Sequence, residues 1–383
     1  MKFRTCLSIL LANLALVAYI YRPWPLSGLM ALTSPLVFYV TLLVAACVLL
    51  WSTVPKVRVD PTGKAVFITG CDSGFGRELA ERLDRIGYHV FAGCLAPDRE
   101  GARSLKESTS DRLHIVKVDV TDDFQVEQAV KYVKDNIGVN ELWAVVNNAG
   151  VAVFCEIEWC AVQEFQKIMD VNVFGIVRVT KGFLPLLRQS EGRVINVASL
   201  AGRFTLPAFA AYSMSKKACI AFSDALRQEM KKFNISVITI EPGLYKTPIT
   251  LENVLIDHNR KSWAETPTDV RADYGEEYFD AFLKQVTLSL RQARPNVQEV
   301  VDNMVEAVCA EHPSYRYVPY WKYRLRAFVI SNLPVTWSDK LFAARFPVIQ
   351  PESRKNRSPK TPRTPLPGEF NFKLPNFTRD KKS

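Results

Sequence analysis

The sequence has only four histidines, and its eight cysteines never form a C-x-x-C pair. No histidine stands near them at a metal-ligating spacing. A zinc ribbon and a thioredoxin-like redox motif are both excluded, and the cysteines read as reduced structural thiols with no metal site. Acid is missing too: residues 1–58 contain no Asp or Glu, only Lys2, Arg4, Arg22, Lys56 and Arg58. The formal net charge of +10 would suggest a nucleic-acid binder if it were spread over the chain. It is not. The N-terminus and residues 350–383, with nine basic and three acidic side chains, hold the excess, and the stretch between is near neutral. Basic ends around a neutral body read as membrane flanks and a solvated tail, with no nucleic-acid partner.

The charge-free N-terminal stretches are Thr5–Tyr21 and Leu26–Trp51, separated by "RPWP". Each is close to the ~20 residues of a spanning helix. A cleaved signal peptide would have a shorter apolar region, and a mitochondrial transit peptide more arginine. Residues 1–58 are therefore read as a membrane anchor. With basic residues before the first stretch and after the second, a hairpin with both ends cytosolic is favoured over a single span with a lumenal body. The endoplasmic reticulum is the expected membrane and the mitochondrial membrane the alternative. At the other end, "PESRKNRSPKTPRTPLPGEF" is too rich in Pro, Ser and Lys to bury a core, so residues 350–383 are expected to be disordered.

From residue 64 the pattern alternates. Strand-like "KAVFITG", "HVFAGCL", "LHIVKVDV", "LWAVVNNAG", "GRVINVAS" and "ISVITIEPG" are separated by helical segments such as "GRELAERLDRIGY" and "AAYSMSKKACIAFSDALRQEM". This predicts an α/β fold over residues 59–349, a doubly wound parallel sheet with helices on both faces. Ligands bind such sheets at the carboxyl ends of the strands.

The chemistry-bearing motifs all fall at those ends. "TGCDSGFG" links the first strand to the first helix, where Gly70, Ser73, Gly74, Phe75 and Gly76 could cradle a pyrophosphate at a helix N-terminus. Its G-x-x-x-G-x-G spacing differs from G-x-G-x-x-G. The acid that grips the adenosine ribose of NAD, about 20 residues on, is missing from "AGCL" around Cys94. No arginine replaces it to hold a 2′-phosphate, so NAD is expected, with NADP the alternative. Asp119 and Val120 of "VDV" end the third strand, where an acceptor could meet adenine; Asp122 reads better as a helix cap. "NNAG" places Asn147 and Gly150 at the end of the fourth. Ser199 ends the fifth strand, and Tyr212 and Lys216 of "YSMSK" share one face of the next helix. Taken singly these are a loop serine and two surface residues. Together they can form an acid/base site, because a nearby ammonium favours the phenolate of a tyrosine whose free pKa is about 10.

This set of motifs resembles the short-chain dehydrogenase/reductase family, in order and spacing, over roughly residues 62–345. The resemblance implies a Rossmann-like domain and NAD(P)-dependent oxidation or reduction at a hydroxyl or carbonyl. It implies Tyr212 as acid/base, Lys216 lowering its pKa and holding the nicotinamide ribose, Ser199 orienting the substrate oxygen, and Asn172 of "VN" holding a relay water. It further implies that Pro242, Gly243 and Thr247 close over the nicotinamide, and that the helices of Asn172 and Tyr212 could form a homodimer. "VFAGCL", "LWAVVNNAGV" and "DYGEEYFD" are similar to the branch holding retinol dehydrogenases, 17β-hydroxysteroid dehydrogenase type 2 and D-3-hydroxybutyrate dehydrogenase. The segment 244–295 is expected to be a substrate lid. The segment 314–337, with aromatics among Arg and Lys, suits either a helix at a membrane surface or packing against the sheet. A lipophilic steroid or retinoid substrate is expected. A small hydroxy acid is the alternative, and a catalytically silent NAD(H)- or lipid-binding scaffold is the reading from another class.

Overall fold

The computed structural model describes residues 39–40, 42–44, 46–47, 57–343 and 349–355. Most of the two N-terminal apolar stretches, and the tail beyond residue 355, lie outside the described residues. No helix among the described residues is long and apolar enough to cross a membrane. The chain divides into two compact units. The smaller takes in residues 1–60 and 309–313. Within it the Val59 N–H donates to the Cys309 carbonyl at 2.7 Å, beside an isolated antiparallel bridge between Arg58 and Ala310.

The larger unit is built on one parallel sheet: β1 (Lys64–Thr69), β2 (His89–Cys94), β3 (Leu113–Lys117), β4 (Glu141–Asn147), β5 (Arg193–Val197), β6 (Ser236–Ile240) and β7 (Arg316–Tyr317). The spatial order is β3-β2-β1-β4-β5-β6-β7, so the doubly wound expectation holds. The central strands are buried on both faces and accordingly read as near-continuous apolar runs. The seventh strand is new. Its two residues lie within the segment 314–337, for which a surface helix and packing against the sheet were both open, and two residues are too few to leave a period in the sequence.

The connections are α1 (Gly74–Ile86), α2 (Glu100–Glu107), α3 (Asp123–Asn136), α4 (Val162–Met169), α5 (Gly175–Ser190) and α6 (Ala210–Met230). Asp122 caps α3, accepting from the N–H groups of Phe124 and Gln125. α3 and α5 cover one face, with Val126, Val130, Val179 and the fully buried Phe183 against the sheet. Phe183 lies 4.4 Å from Phe67, centroid to centroid. A π-helical turn, Asp170–Phe174, joins α4 to α5 and carries Asn172.

After β6 come α7 (Glu252–Glu265), α8 (Thr268–Tyr274) and α9 (Glu276–Arg291), then α10 (Gln298–Cys309), α11 (Trp321–Asn332) and α12 (Val335–Ala343). α7 to α9 fill the segment expected to be the lid. Trp159, from the loop before α4, meets Trp263, Tyr274 and Phe282 edge-to-face at 5.1, 5.0 and 5.3 Å. Two carboxylates of that loop tie the same helices down: Tyr274 donates to Glu158 at 2.6 Å and Tyr278 to Glu156 at 2.8 Å. Replacing Trp159 by Ala should cost about 3–5 kcal/mol, as for other buried tryptophans. Because the loss falls on the lid cluster, limited proteolysis should cut the variant between residues 244 and 295 before the sheet melts.

Candidate active site

Adjacent strands β1 and β4 send their following helices to opposite faces of the sheet. A cleft with a volume of about 910 Å³ opens at their carboxyl ends. Gly70, Ser73, Gly74 and Phe75 line it from the turn between β1 and α1; Asp119 and Val120 line it after β3; Gly150, Pro242, Gly243 and Thr247 complete that part of the wall. Ser199, Tyr212 and Lys216 line it too. Residues spread over nearly 180 positions thus meet in one crevice.

Each side chain is held by its surroundings. Ser199 caps a short turn, its Oγ accepting from the Ala201 N–H at 3.1 Å and lying 3.4 Å from the Pro242 carbonyl. Tyr212 stands in the first turn of α6, edge-on to Phe154 at 5.9 Å. Lys216, one turn later, is 4% exposed. Its Nζ donates to the Val197 carbonyl at 2.9 Å and lies 5.7 Å from the centre of the Tyr212 ring. An ammonium has three donors, so this bond leaves two. Asp119 is oriented by Thr121, whose N–H and hydroxyl both donate to its Oδ1.

Three expected residues sit behind the cleft instead of in its wall. Asn147 is 2% exposed, and its amide donates to Thr180 and, across the strand pair, to Asn196. It stitches β4 to β5, and its neighbour Asn148 lines the cleft. Gly76 also lies behind the wall. A side chain there would collide with the Gly70 carbonyl oxygen, so its lack of one lets the turn close. Asn172 is fully buried: its Oδ1 accepts from the Val151 N–H, and its Nδ2 donates to the Val151 carbonyl and Ser215 Oγ. Ser215 in turn donates to the Tyr212 carbonyl at 2.7 Å. The Asn172 side chain therefore acts on the site by fixing α6 and the strip after β4.

Sequence reasoning missed several residues. Arg203 donates twice to the fully buried Glu241, which also takes Arg316 of β7 at 3.2 Å, and this ties the Ser199 turn to β6. Tyr323 and Arg326 of α11 line the cleft, and Tyr323 packs so closely on Gly243 that a Cβ there would collide with its ring. Asp72 lines it as well. Burial first, and the Asp72 carboxylate second, push the nearby Cys94 thiol up to about 12, so it stays protonated. Arg203, Arg316 and Tyr323 carry no motif. Asp72 was visible inside "TGCDSGFG", but spacing alone did not bring it to the end of β2.

The cradle fits a dinucleotide. Gly70 and Gly74 both have left-handed backbones, at φ +72° and +61°, where a side chain is strained. The turn they form opens directly into the N-terminus of α1. A glycine turn at the reversal of strand order, with a Ser, Tyr and Lys beside it, defines a dinucleotide-dependent oxidoreductase. The comparisons make the class specific. Residues 64–255 match the family model described as short chain dehydrogenase. The chain is 41% identical over 309 residues to 17-beta-hydroxysteroid dehydrogenase type 6 of Rattus norvegicus, covering 80% of this chain and 96% of that one. It is 39% identical over 306 residues to retinol dehydrogenase 16 of Mus musculus, covering 78% and 96%. To D-beta-hydroxybutyrate dehydrogenase, mitochondrial, of Rattus norvegicus it is 38% identical over 290 residues, covering 73% and 84%. The chain belongs to the short-chain dehydrogenase/reductase family, in the branch of hydroxysteroid and retinol dehydrogenases. It is an NAD(P)-dependent oxidoreductase that interconverts an alcohol and its carbonyl.

Gly76→Ala should weaken NADH binding by about tenfold or more while circular dichroism stays native, because the turn must open to relieve the clash with Gly70. Fluorescence titration with NADH checks this.

Proposed function

We propose that the substrate is a lipophilic alcohol or carbonyl of steroid or retinoid type, handled at a membrane surface. The carrying observation is the wall around Tyr212. Phe154, Phe204, Leu206, Phe209, Val286 and Leu290 line that part of the cleft. An apolar wall recovers roughly 25 cal/mol per Å² of ligand surface removed from water, which suits a ring system and wastes little on a small hydroxy acid. Position on a membrane is supported by α11, where Trp321, Leu325, Phe328 and Val329 are 48, 56, 68 and 46% exposed. Their spacing puts them on one helix face. Val335 and Trp337 at the start of α12 are 74 and 63% exposed. Lys322 and Arg324 stand among them, as in helices lying at a lipid headgroup layer. α11 also brings Tyr323 and Arg326 to the cleft, so substrate could enter from the lipid side. The N-terminal apolar stretches supply an anchor in this reading, with the endoplasmic reticulum as the membrane.

A nicotinamide dinucleotide, when bound, supplies the two-electron redox chemistry. It would be held by the glycine turn, Asp119, Gly150, Lys216 and the Pro242–Thr247 strip. The chain's own residues manage the proton. Tyr212 Oη takes it from, or gives it to, the substrate oxygen. Lys216, fixed by the Val197 carbonyl, holds its ammonium group 5.7 Å from the centre of the Tyr212 ring. Ser199 donates to the same oxygen and orients it. Asn172 holds α6 in register and acts as a positioning residue. The lid and the aromatic wall exclude water.

Tyr212→Phe removes the proton carrier but little volume. It should lower turnover by roughly 10²–10⁴-fold with NADH affinity nearly unchanged. The deciding assay follows absorbance at 340 nm, in detergent or microsomes, with estradiol, a 3α-hydroxysteroid, all-trans-retinol and D-3-hydroxybutyrate. Turnover of a steroid or retinoid is expected. Turnover of hydroxybutyrate alone would overturn the lipophilic reading, and silence with NADH still bound would favour a scaffold.

A further inference from the structure

β2 ends on Cys94 and is followed by Leu95 and Ala96, so the strand end has no acid of its own. A carboxylate reaches it from elsewhere. The Leu95 N–H donates to Asp72 Oδ2 at 2.9 Å, and the Ala96 N–H to Asp72 Oδ1 at 3.0 Å. Asp72 belongs to the glycine turn after β1, and both Asp72 and Leu95 line the cleft. The turn is locked there. The Cys71 N–H donates to the Gly93 carbonyl at 2.9 Å. α2 closes so tightly that a Cβ on Gly101 would collide with the Asp72 carbonyl oxygen.

We propose that Asp72 binds the adenosine ribose and excludes a 2′-phosphate, so that the protein selects NAD(H) over NADP(H). It does so from the glycine turn, taking the part that an acid at the end of the second strand takes in other dinucleotide folds. The inference rests on the dinucleotide reading of the cleft. An ionised carboxylate offers about four acceptor positions. The Leu95 and Ala96 amides occupy two, and the rest accept from ribose hydroxyls. A 2′-phosphate brings only acceptors and negative charge to the same corner, where it would repel the carboxylate. Among the described residues that line the cleft, no basic side chain comes from the glycine turn or the end of β2. The basic side chains lining the cleft, Lys167, Lys216 and Arg326, come from α4, α6 and α11. Arg77 of α1 is committed to Glu81, Ser104 and the Gly101 carbonyl.

The test is fluorescence titration of the full-length, detergent-solubilised protein with NADH and, separately, NADPH. The native protein should bind NADH about tenfold or more tightly than NADPH. Asp72→Asn should shrink that ratio by about tenfold, chiefly through tighter NADPH binding. Because Asn offers the two amides a single acceptor oxygen and could disturb the turn, Leu95→Arg is the second variant. It keeps Asp72 and both of its bonds, adds a cation at the same corner, and should shrink the ratio likewise. Equal affinities in the native protein, or an unchanged ratio in a folded Leu95→Arg variant, would overturn the assignment of Asp72. Binding of neither dinucleotide would overturn the reading of the cleft itself, and this inference with it.

Discussion

The site depends on how closely two neighbouring strands approach where their paths diverge. At the ends of β1 and β4 the Thr69 hydroxyl accepts from the N–H groups of Asn148 and Ala149, both at 3.0 Å. The Asn148 side chain returns two bonds, to the carbonyls of Thr69 and Gly70. A Cβ on Gly70 would lie 2.8 Å from the Ala149 Cα. The floor of the crevice is therefore two backbones in contact, sealed by one hydroxyl and one amide. Everything that lines the cleft is measured from this floor: the glycine turn on one side, and the strip leading through Gly150 to Asn172 and Lys216 on the other.

The end of the cleft that carries Ser199, Tyr212 and Lys216 shows the same economy of fixed contacts. Lys216 is buried yet bonded, and the Asn172 amide has partners for both its oxygen and its nitrogen. A buried carboxylate is destabilising unless paired, and Glu241 is paired twice over, by Arg203 and Arg316. That arrangement has a geometric consequence beyond charge balance. It clamps the turn after Ser199 to the end of β6, so the Ser199 hydroxyl and the Pro242–Gly243 strip cannot drift apart. Rigid support of this kind lets a hydrogen bond favour one oxygen position over its neighbours.

The glycine turn, the strand-end position of Ser199 and the i, i+4 relation of Tyr212 and Lys216 were legible in the sequence. They depend on local geometry, on backbone turns and helix periodicity that a short window reveals. Asn147 and Asn148 show the limit. They are adjacent and identical, and only the strand's alternation, set by its partners in the sheet, decides that one stitches β4 to β5 and the other faces the cleft. Asn172 was legible as a candidate, but only the π-turn between α4 and α5 decides that its side chain bonds Val151 and Ser215 behind the wall. The two-residue β7 and its Arg316 left no periodic signal, since their pairing is with β6, as in Thr239 with Arg316, far along the chain.

By itself the sequence determined the alternating strands and helices, the glycine turn and the shared helix face of Tyr212 and Lys216, because each is a matter of residues within one turn or one strand of each other. The tertiary structure decided what fills the gap at the end of β2. Spacing along the chain predicted an acid at the end of β2, and Cys94 stands there instead. Parallel pairing of β1 with β2, in register from Ala65–His89 to Thr69–Gly93, carries the turn after one strand to the end of the other. Asp72 thereby reaches a place that lies 23 residues from it in sequence and 2.9 Å from it in space.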